Sequence, residues 1–168
     1  MMRRRSVFCA LALFPLMMSG CAVPDADLLY ACSGRFSVSG TDRDGKQFAV
    51  SGRYDFRRRR DLIRLDLMTP LNGILARIDA TSTEASLTLH GNEDPLTASD
   101  PESLMMQLLG FSFPVDAVER WLKDDRPEFH EYGWRIRILQ RFPDGSAKTV
   151  RAARTMPAVT VTLAADPR

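Results

Sequence analysis

The chain is 168 residues long, 45% hydrophobic, with a formal charge of +2, which is one domain's worth of sequence and enough apolar material for a real core. The basic excess sits in Arg3, Arg4 and Arg5: taking those three from 23 Lys and Arg leaves 20 against 21 Asp and Glu, so the charge balance gives no support to nucleic-acid binding. Two histidines far apart in sequence, His90 and His130, together with scattered cysteines, supply no metal-site spacing.

Residues 1–20 have the three parts of an export signal. Arg3 to Arg5 are the positive region, Ser6 to Met18 an apolar stretch of secretory rather than membrane-spanning length, and Ser19-Gly20 the small residues before Cys21. This order resembles bacterial lipoprotein signals, with Met18 standing where Leu is more usual. The resemblance implies cleavage before Cys21 and a diacylglyceryl thioether and an N-acyl chain on that cysteine, so the mature chain is anchored to a membrane rather than spanning it. Ala22, rather than aspartate, follows the cysteine, which by the usual sorting rule implies the outer membrane. Cys9 leaves with the signal and Cys21 takes the lipid, so Cys32 has no disulfide partner in the mature chain and is expected as a small residue at the start of the first strand. Residues 21–33 form the lipidated tether, and residues 34–168 the folded domain.

From Gly34 the chain alternates with the period of a sheet. Phe36 and Val38 alternate with polar residues, and after Thr41-Asp42-Arg43-Asp44-Gly45, whose Asp-Gly pair signals a hairpin, Phe48, Val50, Gly52, Tyr54 and Phe56 share one face. Ile63, Leu65 and Leu67 face inward from a third strand over Leu62 to Met68. Ile74, Ala76 and Ile78 mark a fourth, and Leu87 and Leu89 a fifth, giving a five-strand antiparallel meander with one apolar face. Arg57 to Arg60, between strands two and three, is expected as a solvated hairpin tip rather than an anionic-lipid patch.

The pattern then changes period. Ser99-Asp100-Pro101-Glu102 is a helix-start signature, and Leu104, Met105, Leu108 and Leu109 repeat at helical spacing up to Gly110. After Phe111-Ser112-Phe113-Pro114 a second short helix carries Val115, Val118, Trp121 and Leu122 and closes in Lys123 to Pro127. Strands resume with Trp134, Ile136 and Ile138, turn at Pro143-Asp144-Gly145, and end on Val159, Val161 and Leu163.

Leu62 to Ile78 (LIRLDLMTPLNGILARI), Asp100 to Pro127 (DPESLMMQLLGFSFPVDAVERWLKDDRP) and the start of the first strand at Gly34-Arg35-Phe36 together resemble the LolB family, the outer-membrane receptors of bacterial lipoprotein localisation. That family carries a hydrophobic loop after its third strand, an acidic helix start, a Leu-Gly turn with a proline just beyond, and a helix ending in tryptophan. Here these are Pro70-Leu71, Asp100 to Glu102, Leu109-Gly110 with Pro114, and Trp121. The resemblance implies a mainly β fold with a helical lid, an incomplete antiparallel β-barrel or half-barrel of the LolA/LolB kind. The chain departs from the pattern in a shorter segment before the first strand, no additional hairpin between the tryptophan helix and the Trp134 strand, and no further C-terminal strand, so a shortened form is expected. Asn72-Gly73 also replaces an earlier glycine in the loop.

Leu71 sits in a strand-to-strand turn, where exposing a leucine forfeits roughly 1.5–3 kcal/mol of burial unless the tip enters a bilayer or a partner, or folds back onto the sheet. The family likeness makes Pro70 and Leu71 the membrane-insertion loop. It also implies an acyl cavity lined by Phe48, Val50, Tyr54, Ile63, Leu65, Ile74 and Ile78 from the strands, and Leu104, Met105, Leu108, Phe111, Phe113 and Trp121 from the helices. Met68, Met105 and Met106 suit a wall that repacks around acyl chains. The same side chains would also serve a filled core, and the residues alone leave both open.

No catalytic constellation is present. The serines lack a nucleophile-elbow setting, the histidines lack a nucleophile or orienting partner, and no Gly-rich phosphate loop follows a strand. Asp42/Asp44, Glu93/Asp94 and Asp124/Asp125 lie in turns. The expectation is a non-enzymatic, cofactor-free monomer, anchored in the outer membrane and facing the periplasm. By resemblance it takes acylated lipoprotein cargo from a LolA-like periplasmic carrier and passes it into outer-membrane lipids. The other reading is a structural or assembly lipoprotein with a filled core that binds a protein partner through its sheet edge.

Overall fold

The computed structural model describes residues 27–41, 44–69, 73–92 and 94–167, the side chains of Leu108 and Leu109 apart. The expected signal at residues 1–20, Cys21, Pro70 and Leu71 lie outside the described residues.

The alternating segments become strands. β1 (Leu28–Thr41), β2 (Gln47–Arg59), β3 (Ile63–Met68), β4 (Ile74–Ala80) and β5 (Ala85–Leu89) form the expected antiparallel meander, which β6 (Leu96–Ala98) extends by three residues. β7 (Glu128–Glu131), β8 (Trp134–Arg141), β9 (Ala147–Thr155) and β10 (Ala158–Ala165) form a second run. The two runs join through β1 and β10, where Phe36 stands opposite Leu163 and Val38 opposite Val161. The order is β6-β5-β4-β3-β2-β1-β10-β9-β8-β7, so the first and last strands meet at the centre and the sheet stays open between β6 and β7. It is a half-barrel rather than a closed barrel.

The strand β7 corrects the expectation that no hairpin precedes Trp134. Glu-Phe-His-Glu is too short and too polar to stand out by alternation, with only Phe129 buried. The turn is Tyr132-Gly133, with φ of 49° and 76°, the paired left-handed conformation that suits a two-residue hairpin. The arginine run is corrected as well. Arg57 to Arg59 belong to β2, and Arg58 is on the inner face rather than at a solvated tip.

The two faces of the sheet differ in chemistry. On the outer face the directly opposed pairs Arg64–Asp79 and Asp66–Arg77 form two-point ion pairs, each with its shorter contact at 2.6 Å. Half-exposed pairs of this kind contribute a few tenths to about 1 kcal/mol and help fix register. The inner face is apolar: Phe36, Tyr54, Phe56, Leu65, Ile78, Leu87, Ile136, Val150, Val161 and Leu163 are buried against the helices.

Helix α1 (Pro101–Leu109) starts at Asp100, whose side chain accepts a hydrogen bond from the Ser103 amide, and stops at Gly110 in the left-handed conformation at φ 77°. It packs against β5 and β6. A 3₁₀ turn, Val115–Ala117, leads into α2 (Val118–Lys123), which packs against β9. Val115, Ala117, Val118, Trp121 and Leu122 are all buried, so this short lid is held by its apolar side chains rather than by helix propensity.

Candidate lipid-binding site

Between lid and sheet lies an apolar cavity of about 70 Å³. Its walls are Phe36 and Val38 of β1, Tyr54 of β2, Leu65 and Leu67 of β3, Val161 and Leu163 of β10, and Met105, Phe111, Phe113 and Val118 from the lid. Beside it the lid and the second run of strands share an aromatic cluster. Phe113 packs edge-on against Trp121 and Trp134, each with ring centres 5.7 Å apart, and Phe111 packs against Trp134 at 6.1 Å.

Polar groups pin the lid around this apolar interior. The Trp121 indole N–H donates to Glu131 Oε2 at 2.6 Å, and Arg120 reaches Glu131 Oε1 at 2.9 Å, tying α2 to β7. Arg58 lies 2.8 Å from Glu119 as an ion pair rather than an aligned hydrogen bond, and donates to the Asp116 carbonyl at 3.3 Å. Arg154 of β9 donates to the Ser112 carbonyl at 3.2 Å while its guanidinium lies over Trp134.

Among the described residues the Tyr54 hydroxyl, on a cavity-wall residue, and the Trp134 indole N–H, in the aromatic cluster beside it, are both buried without a hydrogen-bond partner. Tyr54 is 1% exposed and its hydroxyl has no hydrogen-bond partner. Burial, and after it the nearby Cys32 thiol, pushes its pKa well above the ordinary phenol range. Cys32 itself is half-buried on β1 and in no disulfide.

A larger open concavity, about 740 Å³, lies at the end of the sheet where β1 begins and β10 ends. Its walls are mixed: Asp55, Arg57, Asp144 and Asp166 stand among apolar Leu28, Tyr30, Leu122 and Phe142, whereas the smaller space is lined by apolar side chains and Tyr54 alone.

The structure distributes the expected lining residues as follows. Tyr54, Leu65, Met105, Phe111 and Phe113 converge on the cavity. Ile78, Leu104 and Trp121 are buried in the surrounding core without forming its wall, and Phe48 and Ile63 are partly buried at the core margin. Val50 is 47% exposed and Ile74 40% exposed. The Leu108 side chain lies outside the described residues. The walls also include Phe36, Val38, Leu67, Val118, Val161 and Leu163, absent from the expected set. Their alternation is visible in the sequence, but the place of Val161 and Leu163 depends on pairing between the first and last strands, which alternation does not encode.

Of the loop between β3 and β4, the base is described: the Thr69 amide donates to the Gly73 carbonyl at 2.9 Å, closing a three-residue excursion. The tip, Pro70 and Leu71, lies outside the described residues. Among the described residues no helix is long and apolar enough to cross a membrane, and no cluster of metal-ligating side chains occurs.

Residues 29–154 match the family model described as outer membrane lipoprotein LolB. The chain is 31% identical to an outer-membrane lipoprotein LolB of Bordetella petrii, over 84% of this chain and 81% of that protein. It is 34% identical to one of Cupriavidus metallidurans over 73% and 68% of the two chains, and 36% identical to one of Cupriavidus necator over 71% and 64%. With the open sheet, the helical lid and the apolar space between them, these matches lead to one conclusion: the chain belongs to the LolB family of outer-membrane lipoproteins.

Proposed function

We propose that this chain is a lipid-anchored receptor that accepts acylated lipoproteins from a soluble LolA-like carrier in the periplasm and releases them into the outer membrane. The observation that carries this is the apolar cavity between sheet and lid, in a chain that belongs to a lipoprotein-trafficking family rather than an enzyme family. Holding an acyl chain in water costs on the order of 0.8 kcal/mol per methylene, so a lipoprotein crossing the periplasm requires a hydrophobic host at each stage. The cavity, about 70 Å³, is well below the roughly 300–1,000 Å³ of ordinary ligand sites, so it takes an acyl chain only as the lid gives way. Met105, Phe111, Phe113 and Val118 would then exchange contacts with sheet for contacts with cargo, and transfer would follow relative affinity.

Cys21 is proposed as the lipid-bearing residue, and Pro70-Leu71, in the loop whose base is closed by the Thr69–Gly73 hydrogen bond, as the segment that meets the bilayer. The structural-lipoprotein reading is not favoured, because family membership points to trafficking. The test is a transfer assay without nucleotide. Acylated lipoprotein loaded on the carrier is mixed with this protein and then with liposomes. Cargo should move first to this protein and then to the liposomes, and failure to take cargo from the carrier overturns the proposal.

A further inference from the structure

We infer that the outer face of β8, β9, β10, β1 and β2 is a membrane-facing surface, which lies against the anionic phospholipid headgroups of the bilayer that holds the chain. The inference rests on Cys21 as the lipid-bearing residue, proposed above, and adds which way the tethered domain faces.

The outer face has two unlike halves. On β3 and β4 each arginine stands opposite an aspartate, so the charges of Arg64 and Asp79, and of Arg77 and Asp66, cancel. Across the centre and the second run the pattern inverts: Arg35 stands opposite Arg53, and Arg137 opposite Arg151. Like charges directly opposed across a sheet are destabilising, and two such pairs occur on this half. Arg53 has Asp166 at 2.6 Å, and Arg137 has Glu128 at 3.1 Å. Arg35, Arg151 and Arg135, the last one outward position before Arg137, are exposed and have no ion-pair partner among the described residues.

The register gathers these groups. Arg137, Arg151, Thr162 and Ser37 share one outward row, and Ala164, Arg35 and Arg53 share the next. The side chains between the arginines are therefore small, so nothing bulky keeps a broad anionic surface away. Five strands at about 4.8 Å spacing put all five arginines on a patch roughly 20 Å across, where their fields add. Both helices pack on the other side of the sheet, against its buried inner face.

Charge and position together select the partner. Guanidinium groups pair with phosphate oxygens, and an array of them without carboxylates of its own suits an array of phosphates. Leu28, where β1 begins, is only seven residues from Cys21, a reach of at most about 25 Å, so the start of β1 stays within that distance of the bilayer. A lipid together with a basic patch is the two-signal arrangement that holds a domain stably at a membrane.

The test is vesicle co-sedimentation of the chain from Cys21 onward carrying Cys21→Ala, which retains every described residue. Vesicles of phosphatidylcholine alone are compared with an equal mixture of phosphatidylcholine and phosphatidylglycerol, with no carrier or cargo present. Binding to the anionic vesicles should be about 100-fold tighter, fivefold for each of the three unpartnered arginines. That excess should vanish near 1 M salt, where the screening length falls to about 3 Å. Arg35→Gln combined with Arg151→Gln should lower binding to the anionic vesicles about 25-fold. The melting temperature should stay unchanged or rise, because each substitution removes a like-charged neighbour. Arg35→Lys combined with Arg151→Lys should retain the binding. Equal binding to both vesicles, or an excess that survives high salt, overturns the inference and leaves the lipid anchor and the receptor function standing, since neither enters the assay. A double glutamine variant that binds anionic vesicles as tightly as the wild type also overturns it; if that variant then fails to take cargo from the carrier, the face serves an acidic protein instead.

Discussion

Arg58, on the inner face of β2, meets Glu119 of α2 at 2.8 Å, and both side chains are mostly shielded, at 31% and 16% exposed. The same guanidinium reaches the Asp116 carbonyl, while Arg154 holds the Ser112 carbonyl from β9. Two inward-facing arginines on distant strands thus clasp the segment that roofs the cavity. A lid made of one nine-residue and one six-residue helix has little stability of its own, so these contacts set how readily it lifts.

Arg58→Ala should therefore raise binding of a hydrophobic dye severalfold, because the roof opens more often, while lowering stability by only about 1 kcal/mol, the size of a partly exposed ion pair. Dye titration and thermal unfolding on one preparation check it. Unchanged dye binding would mean that the apolar side chains alone hold the lid.

Tyr54→Phe should leave the protein as stable or slightly more stable. The hydroxyl is buried without a hydrogen-bond partner, and removing an unsatisfied polar atom relieves a desolvation penalty of about 1–3 kcal/mol, in part or whole. Denaturant unfolding measures this. A loss of stability would show that the hydroxyl is satisfied, with the Cys32 thiol as the nearest candidate.

Asp100 gives a prediction with a pH signature. Its carboxylate accepts from the Ser103 amide at 2.7 Å and from the Ser103 and Ser99 hydroxyls at 2.8 Å each, and these bonds, the amide first, hold its pKa below the usual carboxylate value. A depressed folded pKa means that the contribution is present above the unfolded value and is lost as pH falls toward the folded one. Asp100→Ala should thus cost about 1 kcal/mol at neutral pH, and the gap from wild type should narrow below roughly pH 4. Glu102, two residues on in the same first turn, has the opposite sign. Burial, and then its acidic neighbours Asp116 and Asp100, raise its pKa, so Glu102→Gln should stabilise the lid at neutral pH and lose that advantage in acid. Thermal unfolding across pH separates the two.

Much of this molecule is legible in its sequence, and the gaps have physical causes. Alternation at Phe48 to Phe56 and at Ile63 to Leu67 locates strands because one face is buried. The cap at Asp100 and the glycine at 110 bracket α1 because helix ends need those groups. Pairing between β1 and β10 was not legible, since nothing local to Phe36 or Leu163 states that they meet, and so the cavity wall was only half identified. Strand β7 carries no clear alternation because its four residues hold one buried side chain. Arg58 reads as a surface charge in the sequence because its position on the inner face depends on how far β2 runs, and an arginine run masks the alternation.

The most direct test of the account is Leu71→Glu. If Leu71 is the tip that meets the bilayer, the substitution leaves the melting temperature nearly unchanged, and the protein still takes lipoprotein from the carrier. It then fails to pass that cargo to liposomes, because a charge at the bilayer surface does not replace buried apolar area. If the leucine instead folds back onto the sheet, the change buries an unpaired carboxylate and destabilises by several kcal/mol. Cargo retained by a stable mutant is the predicted result; a large fall in melting temperature, or normal delivery to liposomes, would contradict it.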